Sequence, residues 1–279
     1  MWIEQVMRLA GWTPHEVGVP AGAGSGAGAS GVEGASGGVP GETSGGNACA
    51  GTAEGVDWGA RERQTQRTRK RTRTLTEARQ VFFEHASPRL IVGLGVLAVG
   101  ARSLGGPLGW SDLVIPASIA AAWPLLEWSA HRWLLHMEPR ELGGRRYLPY
   151  FASRHVAHHQ DPSDYALIFL PLQVVAGAYV AIGAGVGLAT GSVALTATTL
   201  AAMSGAALVY EWTHFITHTD YRPRSAWYRR IWQNHRLHHY KHEQAWYAFT
   251  VPHLDTALGT DPDPRDVQTS ETCRTIHRR

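Results

Sequence analysis

Cysteine is nearly absent. The 279-residue chain has 2, Cys49 in a Gly-rich stretch and Cys273 in a polar tail, and neither stands beside a second Cys or a His motif. That pattern supports neither a disulfide framework nor a thiolate metal site. A signal-peptide core is missing too: the opening MWIEQVMRLAGW is interrupted by Glu4 and Arg8, so export is not indicated. Between about Val19 and Gly59 the chain is Gly, Ala and Ser with a few acids. Such a composition buries too little apolar surface to offset backbone entropy, so residues 1–60 are expected to be disordered.

A formal net charge of +3 conceals a strongly basic block, RERQTQRTRKRTRTLTEAR from Arg61 to Arg79. Alone, such a run suits nucleic acid or anionic lipid. The apolar sequence that follows favours lipid, each basic side chain near a headgroup being worth about 1 kcal/mol. Residues 61–80 are therefore read as a basic juxtamembrane segment, and no nucleic-acid partner is expected.

Four apolar stretches lie between Pro88 and His218. The first, RLIVGLGVLAVGAR, is bounded by Arg89 and Arg102. It falls short of the roughly 20 residues that a span requires, unless SLGGPLGW extends it. The second, Leu113 to Leu126, contains Pro116 and Pro124, which spans tolerate when neighbours satisfy the freed carbonyls. The third (Tyr165 to Thr190) and fourth (Ser192 to Tyr210) are uncharged, long enough to cross, and rich in the small residues that allow close helix contact in lipid. Buried core helices of a soluble protein are the competing reading, but two such stretches in succession are hard to hide in a domain of this size. The connectors at Leu104 to Asp112 and Gly191 to Ser192 carry no Lys or Arg, whereas the segments around 61–79, 132–154 and 222–241 are basic. The expected fold is an all-α integral membrane core of four helices in two hairpins, with a helical His-rich cap and both termini on the cytoplasmic side.

Histidine is abundant, with 15 residues, and it is patterned. His131 and His136 form HX4H; His155, His158 and His159 form HX2HH; His214 and His218 form HX3H; His235, His238 and His239 form a second HX2HH. Taking (15/279) cubed over all starting positions, roughly 0.04 such triplets arise by chance, so two in matching contexts are a strong signal. On a helix, residues i, i+3 and i+4 share a face, so each triplet is expected to present three imidazoles to one point. The five-residue spacing of His131 and His136 turns them apart in a regular helix, which predicts a break or helix end between them. Crowded imidazoles become favourable around a cation, which binds the neutral ring. Ten candidate ligands exceed the four to six that one ion takes, so two metal ions are implied. The two halves of the chain echo one another, each hairpin ending in a His pair and followed by a triplet, an arrangement that lets both halves share one site.

The remaining histidines fall outside this pattern. His15, His85 and His277 read as surface or satisfied residues, His253 leans structural, and His242 extends the last triplet without belonging to it. Glu127 and Glu211 precede the two His pairs in matching EW contexts, where a carboxylate could accept the second ring N–H of a ligand; a helix-end charge at the lipid interface is the equal alternative. Trp128, Trp133, Trp212, Trp227 and Trp232 fit an interfacial aromatic belt.

With HRWLLH, HVAHH, HFITH and HRLHH in order between two membrane hairpins, the sequence resembles the fatty acid hydroxylase and sterol desaturase superfamily over about Ser87 to Thr260. The following DTALGT looks like the tail of that domain, which gives boundaries of 81–260 and a polar tail of 261–279. The HX4H, HX2HH, HX3H, HX2HH series is most similar to the fatty acid 2-hydroxylase branch. The resemblance implies a di-iron site at the ten paired histidines, with O2 as cosubstrate, two electrons per turnover and a long acyl lipid as substrate. An unactivated C–H bond requires redox chemistry, so zinc could occupy such a site in a preparation but not work there. Fused members carry an electron-delivering haem domain and nothing in this sequence offers one, so a separate ferredoxin- or cytochrome-type donor is expected. The basic segment Arg222 to Arg236 could dock it, or could simply hold the cytoplasmic side. A sterol or carotenoid substrate, or desaturation instead of hydroxylation, is the alternative within the superfamily. A metal transporter is a weaker one, because the third and fourth spans hold no His or charge.

Overall fold

The structure is a computed structural model and describes residues 57–277. The Gly-rich region expected to be disordered lies, up to residue 56, outside the described residues, as do His15 and Cys49. Helix α1 (Trp58–Thr68) begins inside that region's expected boundary, with Asp57 as its cap accepting from Ala60 N at 2.8 Å. Helix α2 (Leu75–Glu84) opens on a reciprocal capping box between Thr74 and Glu77. Its buried face of Ala78, Val81 and Phe82 joins Phe169, Phe215 and Ile216 in one apolar cluster.

Four helical segments are long and apolar enough to cross a membrane, at 86–104, 111–135, 165–190 and 193–217. The chain is an integral membrane protein of mostly helical class, as expected. Their outward side chains are apolar and bare: Val96, Leu97, Leu113, Val180 and Leu188 are 64% to 89% exposed in the isolated chain. A patch of that extent on a water-soluble monomer would drive association; in lipid it is the required surface.

The first span corrects the sequence reading. Helix α3 (Ala86–Leu104) reaches 19 residues by extending back to Ala86 and forward only to Leu104, not through the rest of SLGGPLGW. Arg102 tolerates its position because it folds back on Asp112, its Nε donating to Oδ1 at 2.5 Å, and Thr198 Oγ1 donates to the same carboxylate at 2.6 Å. Helix α4 (Ser111–Ser129) runs through both prolines and continues as a π-helical segment, Ala130–Leu135. After a hairpin of β1 (Arg140–Leu142) and β2 (Arg145–Tyr147), turned by Gly143 and Gly144 at φ 59° and 75°, comes α5 (Tyr150–Gln160). The third span is a short α6 (Tyr165–Ile168) and then α7 (Leu172–Thr190), separated at Pro171. Helix α8 (Val193–Thr217) is the hub and packs against α3, α4 and α7. Gly95 on α3 permits one close approach: a Cβ there would lie 3.0 Å from Ser204 Cβ on α8. Helices α9 (Ala226–Tyr240) and α10 (His253–Ala257) complete the cap.

The basic block is partly structural. Arg69 donates to Tyr165 Oη at 2.5 Å, to the His218 carbonyl at 2.8 Å and to Asp220 Oδ1 at 2.7 Å, tying the chain before α2 to the end of α8. The polar tail is likewise folded onto the cap, with Cys273, Arg274, Ile276 and His277 buried. Cys273 is disulfide-bonded, against the expectation from the sequence.

Candidate metal centre

The ten patterned histidines converge into two groups at one end of the bundle. His131, His136, His155, His159 and His238 form the first, and His158, His214, His218, His235 and His239 the second; within each, the candidate ligand nitrogens lie within 4.8 Å of one another. Eight of the ten residues are buried, and His136 and His218 are half-buried.

How the chain builds these groups differs from the spacing argument in two respects. Each HX2HH triplet was expected to serve one point, yet each splits. On a helix of 3.6 residues per turn, i+4 lies about 40° from i and i+3 about 60° away on the other side. The i and i+4 residues therefore go together, as His155 with His159 and His235 with His239, while His158 and His238 turn to the neighbouring group. Each half of the chain thus lends one imidazole to the other half's group. Second, the helix end expected between His131 and His136 is there, at Leu135, but the segment that reaches it is π-helical. The π-helical segment, with its i to i+5 bond from His136 N to the His131 carbonyl at 3.3 Å, returns a five-residue spacing to one face.

The ring nitrogens fit a bound cation. In the second group His235 Nε2 lies 2.7 Å from His218 Nε2 and 3.0 Å from His239 Nε2, and His214 Nε2 lies 3.2 Å from His158 Nε2. In the first, His155 Nε2 lies 3.0 Å from His136 Nε2. Burial, and then the other imidazoles, hold the eight cap histidines, from His136 to His239, well below the usual imidazole value. They are neutral, which is the form that ligates metal.

Three rings are aimed by backbone carbonyls. His131 Nδ1 donates to Tyr247 O at 2.7 Å, His238 Nδ1 to Ala245 O at 2.7 Å and His159 Nδ1 to Cys273 O at 2.9 Å. Because a carbonyl only accepts, each Nδ1 carries the proton and each Nε2 keeps its lone pair. Those three Nε2 atoms are buried with no partner, as a ligand to a cation would be. The loop that supplies two of the carbonyls is sharply shaped. Trp246 takes a φ of 56°, held by its N–H to the Thr260 carbonyl at 2.8 Å. Asp255 accepts from Tyr247 N and Ala248 N at 3.0 Å each and from Thr260 Oγ1 at 2.7 Å. Phe249 stacks on His131 at 4.6 Å.

Other expected roles fall out differently. Glu127 and Glu211 touch no histidine ring. Glu127 accepts from Thr250 N at 2.7 Å, and Glu211 from Ser87 Oγ at 2.7 Å and Leu170 N at 2.8 Å, so each ties a span end to a neighbouring segment. Trp128 is buried and donates to Asp255 Oδ1 at 3.1 Å, so it belongs to the loop's support and not to an interfacial belt; Trp133 and Trp227 are exposed as a belt requires. His242, His85 and His253 stand outside both groups, His85 stacking on Phe169 at 4.3 Å and His253 near Trp227 at 5.3 Å. His277 is buried, its Nδ1 3.2 Å from Glu138 Oε2. Sequence reasoning missed Ala245, Tyr247 and Cys273 because a backbone carbonyl leaves no side-chain signature. Only DTALGT, which holds Asp255 and Thr260, pointed to that support.

The model of the fatty acid hydroxylase family matches residues 117–260, which include all ten patterned histidines. No curated protein matches the chain. Among solved structures, the chain is similar to full-length scs7p, of which only the hydroxylase domain is visible, with 21% identity and a TM-score of 0.52 over 66% of this chain and 68% of that one. That likeness bears on the fold. With just over half of the chain matched in sequence and its histidines gathered as described, this membrane protein belongs to the fatty acid hydroxylase family.

Proposed function

We propose that the chain is a di-iron oxygenase that hydroxylates a long-chain fatty acyl lipid. The observation that carries the reading is the pair of five-histidine groups, neutral and side by side at the end of a four-span bundle. The balance is R–H + O2 + 2 electrons + 2 protons giving R–OH + H2O. Two irons in the two groups would supply reduction of O2 and cleavage of a C–H bond that has no acidity for acid–base groups to use.

The residues of this chain then have defined tasks. The imidazoles hold the metals as neutral ligands, and the carbonyls of Tyr247, Ala245 and Cys273 fix three of their tautomers. Burial keeps bulk water from the centre. The spans hold the acyl chain at the depth of the bilayer, with its polar end at the interface.

The charge bias of the connectors supports a cytoplasmic position for the cap and both ends. The electron donor is a separate protein of ferredoxin or cytochrome type. A groove of about 850 Å³ lined by Arg71, Arg73, Arg222, Arg224 and Arg236 suits an acidic carrier, and an adjoining recess reaches His218 and His239.

The test is turnover of the purified full chain, loaded with Fe(II) and supplied with a ferredoxin or cytochrome reductase system and fatty acyl lipids under 18O2. Product heavier by one labelled oxygen is expected. Loss of two hydrogens would make it a desaturase, product only from sterols or carotenoids would move the substrate class, and no O2-dependent product in any of these would overturn the reading.

A further inference from the structure

The tail beyond residue 260 lies outside the family match, yet it runs across the metal-facing cap. Ser270 N donates to the Lys241 carbonyl at 2.7 Å and Thr272 Oγ1 to Glu243 Oε1 at 2.6 Å, which anchors the tail just past the second triplet. Its far end reaches Glu138, two residues after His136, through His277. Between these anchors, fully buried Cys273 turns its carbonyl to His159 Nδ1.

We propose that residues 270–277 are a positioning strap for the first metal site, acting on His159 through the Cys273 carbonyl and held in place by the buried pair of Arg274 and Glu62. The proposal rests on the reading of the histidine groups as metal sites. It assigns those sites unequal support.

In the first group, three of five rings have their proton-bearing nitrogen on a backbone carbonyl. Two of those carbonyls come from the loop around Trp246, and the third comes from the strap. In the second group, His158, His235 and His239 have buried Nδ1 atoms with no such partner, and His214 alone faces a backbone carbonyl, that of Ile168. An imidazole whose tautomer and orientation are set beforehand binds a cation without that ordering cost, and losing such an outer partner typically weakens metal affinity by about 10–100-fold.

A carbonyl can aim a ring only if its own chain is fixed. Arg274, 3% exposed, donates to Glu62 Oε2 at 2.5 Å, and its guanidinium lies 4.8 Å over the Tyr240 ring. Its other arm approaches the His159 carbonyl at 3.4 Å. The second oxygen of Glu62 accepts from Tyr240 Oη at 2.5 Å and Ser163 Oγ at 3.0 Å. Helices α1 and α9, the loop after α5 and the strap therefore meet at one carboxylate. Such a buried ion pair is a poor source of net stability but a firm registration point, because removing one partner strands the other charge. Nearby Ile276 holds a φ of 65°, costly for a β-branched residue and sustained only where its surroundings dictate it.

The experiment uses the full chain in nanodiscs with Zn²⁺ as a redox-inert probe, titrated against a chromophoric chelator so that two binding steps resolve. Arg274→Ala, and a truncation after Thr269, are expected to weaken one step about 10–100-fold and leave the other within experimental error. Arg274→Lys should recover part of the loss. Both steps unchanged in the two variants would overturn the strap, and so would both steps weakened equally alongside a lower Tm, which would mark a merely structural role. A wild-type chain that takes up no Zn²⁺ would instead remove the metal-centre reading on which the strap depends.

Discussion

His158 and His159 are neighbours in sequence, yet their imidazoles belong to different groups, His158 with His214 of α8 and His218 at its C-terminal cap, and His159 with His131 and His136 from the first hairpin. Adjacent residues on a helix point about 100° apart. One helix can therefore feed two sites only if it lies between them, and α5 does, as α9 does through His238 and His239. The two halves are interlocked at the centre.

The interlock predicts which losses travel together. His238→Ala should behave like His131→Ala although the two lie in opposite halves, and His158→Ala should behave like His214→Ala. Each is expected to reduce bound metal from two ions to about one per chain, because a site short of one neutral ligand loses affinity steeply. In a double-mutant cycle, His238→Ala with His131→Ala should cost little more than either alone, whereas His238→Ala with His158→Ala should empty both sites. Metal content per chain by mass spectrometry checks this. Grouping of His238 with His235 and His239 instead would contradict the geometry.

The π-helical segment predicts an asymmetry between deletion and insertion. Removing exposed Leu134 converts HX4H into the HX3H of the second half, a spacing that an ordinary α-helix presents on one face. Both ions should remain bound. Inserting one alanine after Leu134 gives a six-residue spacing that neither helix type aligns, and one ion should be lost. Zn²⁺ stoichiometry of the two purified variants decides it.

Much of this centre was legible before any coordinates, and the remainder was hidden for physical reasons. Spacing singled out His131, His136, His155, His158, His159, His214, His218, His235, His238 and His239, because imidazoles that share a helix face recur at helical intervals. The same spacing could not say that His158 and His238 cross over, since that depends on where α5 and α9 lie and not on either helix alone. The four spans were readable from the uncharged runs, but the start of the first at Ala86 was not, because Arg89 looked like a boundary. The aiming carbonyls were invisible, as was the burial of Arg274 in a tail of polar composition.

Asp255 predicts a coupled loss of stability and metal. Its carboxylate serves Tyr247 N, Ala248 N, Trp128 Nε1 and Thr260 Oγ1, all buried or nearly so. Asp255→Ala orphans these donors at roughly 1–3 kcal/mol each where no water replaces the carboxylate. It also frees the loop whose carbonyls aim His131 and His238. A markedly lower Tm should appear together with weaker binding at the first group alone. Asp255→Asn, which keeps one acceptor oxygen, should fall between it and wild type. Unchanged metal binding in Asp255→Ala would separate the loop from the centre.

The contact of Gly95 with Ser204 predicts where the membrane core resists bulk. A Cβ at Gly95 would meet Ser204 Cβ at 3.0 Å, while one at Gly93 would meet nothing within 4 Å. Ser204 has little room to yield, since its hydroxyl donates to the Leu200 carbonyl at 2.7 Å. Gly95→Val should therefore push α3 from α8 and cost about 1–3 kcal/mol, the usual penalty for overpacking a filled interface. Gly93→Val, facing open space, should be close to neutral. Because α8 carries His214 at its far end, Gly95→Val should also lower metal occupancy of the second group more than of the first. Denaturation in mixed micelles, read with Zn²⁺ content, tests both parts, and equal tolerance at the two glycines would refute the close approach.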